Sequence, residues 1–414
     1  MSKAIVFIKQ MEKFYGRPLH PFSKYLLKKF EEYMQTPAEI QIKKGAAVTF
    51  EPYALPDFTE QFKVNSKKEI AFIHEDVGHM TGGRYYAYFV IAALMEVGYN
   101  VTVYTNRMPI FGKEFALYKK PKFSIISKTT TGLVDIDVKA DAYMGSPING
   151  NIAAIKLGKK YRKPAFAMVF DPFNMMAEFI GTRQYKGWEK LIPMLKQPDT
   201  KIISLCNTTS KYIHSWIDKD PASVYPIYPC INSKVLNGTE RVIKRGDYVL
   251  FISRLVGHKR FEDVLQAVRR TKLRLKVISS INGIKAQLVT RKYGMQSRVD
   301  FHLNVSDSEK FDMIFNAKAV VNGSIFEGFG MYVAEAIACG VPFVGYDYPT
   351  FREIRDFAGA KNIYLAKHKN IPDLRAKLQL AIDEGNYQPP SNAFNFEAMV
   401  ARVAEKDITD AIHG

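Results

Sequence analysis

Cysteine is scarce in this chain, limited to Cys206, Cys230 and Cys339. An odd, sparse set without metal-type spacing argues against a disulfide framework and fits a reducing compartment. Long apolar runs are missing as well, and none approaches the roughly 20 residues a membrane span needs. The opening stretch, Met1-Ser-Lys-Ala-Ile-Val-Phe-Ile-Lys9, has too short an apolar core for a secretory signal and no small-residue cleavage site. A cytoplasmic protein is therefore expected, with room for peripheral contact at the inner face of a membrane. Acidic residues are outnumbered, 41 against 59 basic ones, which leaves a formal charge of +18. Such an excess favours a polyanionic partner, whether nucleic acid, anionic lipid or acidic glycan, or else reflects a lysine-rich proteome. It says nothing about fold. Internal repeats, low-complexity tracts and His/Asp/Glu groups with metal-ligand spacing are also lacking, so no metal site is expected.

What is present bounds the architecture. A length of 414 residues suggests two domains, sometimes three, and 47% apolar residues supply real cores. Glu69-Ile-Ala-Phe-Ile-His74 reads as a buried strand, followed by the loop Glu75-Asp-Val-Gly-His-Met-Thr-Gly-Gly83. Apolar residues then recur at helical spacing from Arg84 to Glu96, Gly98 stops the helix, and Asn100-Val-Thr-Val-Tyr104 is the next strand. Strand, glycine loop, helix, strand opens a doubly wound parallel sheet, with ligand sites at the strand carboxyl ends. Further strands are expected at Ala140 to Met144, Ala165 to Phe170 and Lys201 to Cys206. The residues Asn207-Thr-Thr-Ser210 read as a cap for a helix over 211–217. Ser223 to Pro229 is proline-broken and a poor central strand.

A polar, basic stretch from Asn232 to Asp247 marks the domain junction. A second doubly wound unit starts at Tyr248-Val-Leu-Phe-Ile-Ser253 and continues through strands at 275–279, 299–302, 319–321 and 342–345, with a helix over 309–315. The resulting division is an N-terminal extension (1–67), an N-terminal Rossmann-like domain (68–240), a C-terminal Rossmann-like domain (241–393) and a C-terminal helix (394–414). Within the extension, residues 21–34 place Phe22, Tyr25, Leu26, Phe30, Tyr33 and Met34 on about one face, with lysines opposite. That pattern suits an interfacial or acceptor-binding helix, or one simply docked on the domain.

The most informative stretch is Phe326-Glu-Gly-Phe-Gly-Met-Tyr-Val-Ala-Glu335-Ala-Ile-Ala-Cys-Gly-Val-Pro-Phe-Val344. It reads as a glycine-rich loop opening a helix, a glycine stop and a buried strand. Free backbone N–H groups and the helix dipole at such a start suit a phosphate. Carboxylates at Glu327 and Glu335, flanking it, can accept hydrogen bonds from sugar hydroxyls. The stretch resembles the E-x7-E signature of retaining nucleotide-sugar glycosyltransferases of the GT-B fold, the glycosyltransferase family 4 type. A second block, Val249-Leu-Phe-Ile-Ser-Arg254-Leu-Val-Gly-His-Lys259-Arg, resembles that family's Gly-Arg-Leu-x-x-x-Lys-Gly segment, with Ser253 and Arg260 in place of its glycines.

The resemblance implies roles. Glu335 is expected to bind ribose hydroxyls, and Glu327 to hold the donor sugar. Arg254 and Lys259 are expected to neutralise a leaving diphosphate. Backbone groups of Phe329, Gly330 and Met331 add contacts, Gly82 and Gly83 lie beside the diphosphate and acceptor, and Asn304, Val305 and Ser306 fall where relatives hold the base. Many relatives carry a histidine after a late strand of the first domain. Here Phe170 stands in its place, which makes Asp171 the candidate for sugar or acceptor contact, with His74 and His79 as alternatives. The last helix is expected to cross back to the first domain. The implied reaction is retaining and metal-independent transfer from a UDP- or GDP-sugar, with no cofactor, to a hydroxyl of a glycan or lipid-linked glycan. A phage-type DNA glycosyltransferase acting on hydroxymethylated bases, and a non-catalytic scaffold binding nucleic acid or anionic lipid, are the alternatives.

Overall fold

The computed structural model describes residues 42–44, 67–76, 82–108, 121–180, 187–231, 244–279, 284–303 and 305–414. The helix expected over 21–34, most of the 1–67 extension, His79 and Asn304 lie outside the described residues.

Two seven-stranded parallel sheets organise the described residues. The first contains β2 (Glu69–His74), β3 (Asn100–Thr105), β4 (Lys122–Ile125), β5 (Ala142–Ser146), β6 (Ala165–Val169), β7 (Thr200–Ser204) and β8 (Val224–Pro226), in the order β4-β3-β2-β5-β6-β7-β8. The second contains β1 (Ile42–Lys44), β9 (Tyr248–Ile252), β10 (Arg274–Ser279), β11 (Val299–Leu303), β12 (Val320–Asn322), β13 (Phe343–Tyr346) and β14 (Ile363–Ala366). Its order is β1-β11-β10-β9-β12-β13-β14. Strands β5 and β6 are buried along their whole length, as expected where helices cover both faces of a parallel sheet. In each sheet the order reverses beside the first strand of the unit, at β2/β5 and at β9/β12. Such reversals are where doubly wound sheets bind ligands.

From the extension, β1 pairs in parallel with β11 at the edge of the second sheet. The sequence reading needs correcting at two points, the cap at Asn207 and the C-terminal helix. Asn207 to Ser210 do not precede their helix but form its first turn, with Cys206 as the cap. The proline-broken segment is not a central strand but the edge strand β8, where an unpaired side is tolerated. The single C-terminal helix is two, Phe396–Ala404 and Lys406–His413, broken by the extended backbone of Glu405.

The C-terminal segment crosses back to the first domain. Phe396 is fully buried, with its ring centroid 5.7 Å from that of Phe89 on helix Gly82–Val97. Lys68 Nζ donates to the carbonyl of His413 at 3.0 Å, and Arg402 Nε donates to that of Pro226 at 3.0 Å.

A second tie lies nearer the cleft. Glu353, on helix Pro349–Ala358 of the second domain, accepts from the backbone N–H groups of Asn207 and Thr208 at 2.7 Å each. Tyr228 O–H also donates to it. These amides open helix Asn207–Ile217 and have no intrahelical acceptor, so a carboxylate from the other domain satisfies them and meets the positive end of the dipole. Burial opposes the Glu353 charge, but bonds from Thr208 and Tyr228 prevail and its pKa falls below the usual value. A depressed carboxyl stabilises the fold above its unfolded pKa and loses that contribution as pH falls through its folded one. Glu353→Ala is therefore expected to cost about 1–3 kcal/mol near neutral pH, read by denaturation, and progressively less below about pH 4.

Candidate active site

A cavity of about 630 Å³ lies between the domains, at the carboxyl ends of both sheets. His74 ends β2 and Glu75 follows it, Ser146 ends β5 and Pro147 follows it, Ser253 and Arg254 follow β9, and Phe326 to Gly330 follow β12; all line it. The two sheet reversals thus face each other across one space, within the size range of small-molecule sites.

The glycine-rich loop enters helix Met331–Ala338 through Gly330, whose φ of +99° is left-handed. A side chain there would be strained, and its Cβ would also meet the Phe351 ring at 2.7 Å. Phe329, Gly330 and Met331 line the cavity, and no side-chain cap covers this helix start. Glu327 and Glu335 both line it as well, one on the loop and one on the helix.

Lys259 reaches Glu327 directly, with Nζ 2.5 Å from Oε1, and Tyr332 O–H donates to the same oxygen at 2.7 Å. The two charged side chains are only 9% and 12% exposed, so each depends on the other for compensation. Burial raises the cost of the Glu327 charge, but Lys259 and Tyr332 outweigh it and hold the pKa below the usual value. Arg254 is exposed on the cavity wall. Between the two cations, the turn Gly257–Lys259 ends at Arg260, with φ +47°. Arg260 replaces a glycine of the resembling family, and the left-handed backbone explains why glycine suits that position. Its guanidinium, donating to Asp263 at 2.9 Å, helps retain the turn without glycine. Burial and then Lys259 push the neighbouring His258 down to about 4, so this imidazole is neutral.

The first domain supplies the opposite wall. Gly82 and Gly83 open helix Gly82–Val97 and line the cavity. Phe170 packs against Gly83 and sets its ring edge-on to Tyr86 at 5.6 Å. The Gly328 backbone faces the Asp171 carboxylate across the cleft. At Gly328 a Cβ would stand 2.3 Å from the Phe170 carbonyl oxygen and 2.5 Å from Asp171 Oδ1. Only a residue without a side chain allows the domains to meet so closely.

Enclosure in the cleft, and next the Glu327 charge, push the Asp171 carboxyl up to about 6, against the pull of Lys259 and Arg254. A raised carboxyl destabilises the fold at pH values above it and has no such effect below its unfolded pKa. Asp171→Asn is thus expected to gain roughly 1–2 kcal/mol at pH 7.5 and nothing at pH 4, read by thermal denaturation. His74 is buried at the end of β2, 4.0 Å from Asp76, with Arg84 close by. Burial and then Arg84 push it down to about 3, so it is neutral.

Sequence reasoning missed Lys310, Asp307, Tyr332 and Tyr85, all on the cavity wall. Lys310 Nζ lies 2.7 Å from Glu335 Oε1 and 2.9 Å from Asp307 Oδ1. Burial works against its charge, but the two carboxylates prevail and raise its pKa. The Asp307–Lys310 spacing of three on a helix was the available signal. Val305 lines the cavity as expected, at the start of the same segment.

Residues 239–393 match the family described as glycosyl transferases group 1. Sucrose-phosphate synthase from Thermosynechococcus elongatus is similar at 13% identity and TM-score 0.61, covering 84% of this chain and 94% of that one. HepE from Anabaena, in complex with UDP and glucose, is similar at 14% identity and TM-score 0.56, covering 83% and 94%. The fold is GT-B. A third GT-B structure, the lipopolysaccharide outer core galactosyltransferase WaaB, gives 18% identity and TM-score 0.55, covering 83% and 99%. No curated protein matches the sequence. Among the described residues no helix is long and apolar enough to cross a membrane.

Proposed function

We propose that the chain is a retaining glycosyltransferase that moves a sugar from a nucleotide-diphosphate donor to a hydroxyl of a glycan or lipid-linked glycan. One observation carries this reading: two pairs well separated in sequence, Arg254 with Lys259 and Glu327 with Glu335, converge on a single cavity between two Rossmann-like domains.

In this reading Glu335 accepts hydrogen bonds from the ribose, and the base lies against the segment around Val305. Arg254 and Lys259 neutralise the negative charge that grows on the diphosphate as the bond to the sugar breaks. The open N–H groups at the start of helix Met331–Ala338 add to that stabilisation. Glu327 holds sugar hydroxyls, and its bonds from Lys259 and Tyr332 fix the orientation of its carboxylate. The acceptor enters beside Gly82, Gly83 and Asp171. Its proton passes to the departing phosphate on the same face of the sugar, so positioning and charge stabilisation carry the catalysis without a protein base. The cation pair supports metal-independent turnover.

The test is transfer from a panel of UDP- and GDP-sugars to acceptor mixtures, with and without EDTA, followed by NMR of the anomeric proton. Retained configuration and EDTA resistance support the proposal. Inverted product refutes retention, and absence of both hydrolysis and transfer in a folded protein leaves the non-catalytic scaffold. Epimerised sugar formed without acceptor points to an epimerase. The charge of +18 favours a polyanionic acceptor or surface. Co-sedimentation with anionic vesicles supports a lipid-linked acceptor, whereas a salt-sensitive shift by duplex DNA supports the DNA reading.

A further inference from the structure

We infer that Lys310 is a positioning residue that sets Glu335 for the ribose of the donor, so that the base contact and the group that orients the ribose acceptor come from one segment; this rests on the nucleotide-sugar reading above. Lys310 donates to Glu335 Oε1 at 2.7 Å and pairs with Asp307 Oδ1 at 2.9 Å. All three side chains line the cavity and are at most 15% exposed. A glutamate carboxylate turns easily about its last torsion. With Oε1 tied to an ammonium that is itself held by a second carboxylate, that rotation is suppressed and Oε2 has a defined direction. Fixed acceptors of this kind give a binding site its precision.

The ammonium also solves an electrostatic problem. Asp307 and Glu335 converge on the same Nζ, and without it two nearby carboxylates would repel each other and any diphosphate approaching them. The site is held from below. Ser306 and Glu309 form a reciprocal cap, with Glu309 N–H donating to Ser306 Oγ at 3.2 Å and Ser306 N–H to Glu309 Oε2 at 2.9 Å. That cap fixes the first turn of helix Asp307–Phe315, which carries both Asp307 and Lys310. Val305, one residue before the cap, reaches the same cavity. The segment after β11 therefore presents the base contact and the ribose-positioning lysine together. From the other domain, the Tyr85 ring lies 6.0 Å from Lys310 Nζ. The ribose subsite is thus bounded by both domains.

A positioning role and a merely structural ion pair give different results. The probes are UDP and GDP, with the better-binding one also tested as its 2′,3′-dideoxy analogue, by calorimetry on the full chain. Lys310→Gln is expected to weaken the ribonucleotide about tenfold or more, the effect of one lost charge-assisted bond. It should leave the dideoxy analogue within about threefold and raise donor KM more than it lowers kcat. Lys310→Arg should restore most of the affinity, and Lys310→Gln added to Glu335→Ala should cost little more. Equal weakening of ribose and dideoxy ligands, or additive losses in the double variant, overturns the proposal. If Glu335→Ala weakens binding while Lys310→Gln does not, this inference alone fails. If Glu335→Ala binds as tightly as the wild type, the ribose assignment fails and takes the inference with it.

Discussion

Lys259→Met is expected to reduce turnover by about 10²–10³-fold, the usual cost of removing one preorganised charge-stabilising group. The same change should lower stability by about 3–5 kcal/mol, because it leaves Glu327 charged, nearly buried and without its cation. The two losses have different origins and can be separated. In Lys259→Met/Glu327→Leu no uncompensated charge remains, so stability should return to within about 1–2 kcal/mol of wild type. Turnover should stay at the level of the single variant or below it. Chemical denaturation and single-turnover assays on the two variants provide the check. Recovered activity in the double variant would mean that the pair is only structural.

Gly328→Val is the second large effect. Alanine alone would put a Cβ 2.3 Å from a backbone oxygen of the opposite domain, which cannot swing aside as a side chain can. The branched side chain of valine enlarges the clash and forces the loop carrying Glu327 away from Phe170 and Asp171. A misplacement of about 1 Å in catalytic geometry costs about 10²-fold in rate, and that loss is expected here in kcat. Some stability should be lost as well, because one hydrophobic cluster runs through both domains and includes Phe326 and Phe329 beside Gly328. Measuring kcat beside the melting temperature distinguishes a displaced loop from a damaged fold. Wild-type kcat in Gly328→Val would show that the close approach of the domains is not needed for turnover.

The sequence was informative wherever function is written in neighbouring residues. Glu327 and Glu335 flank one glycine loop, and Arg254 and Lys259 share one turn, so the chain order itself exposes them. The doubly wound sheets were legible for a similar reason, since buried parallel strands such as β5 and β6 are short apolar runs ending near turn residues. Contacts between distant segments were not. Nothing near Phe170 in the sequence announces that Gly328 will sit against it, and Glu353 looks like an ordinary exposed helix residue until Asn207 and Thr208 appear beside it. The break at Glu405 was hidden by apolar spacing that runs from Val400 and Val403 before it to Ile408 and Ile412 after it, all buried. Strand β1 was missed because Ile42 to Lys44 is too short and too basic to read as part of a sheet.

The most direct measurement of the central claim is calorimetric titration of UDP- and GDP-sugars into the wild type, Glu335→Ala and Arg254→Ala. The expected result is binding of at least one donor by the wild type, weakened about tenfold or more in each variant. Failure of every donor to bind, or equal affinity in all three proteins, would contradict the account.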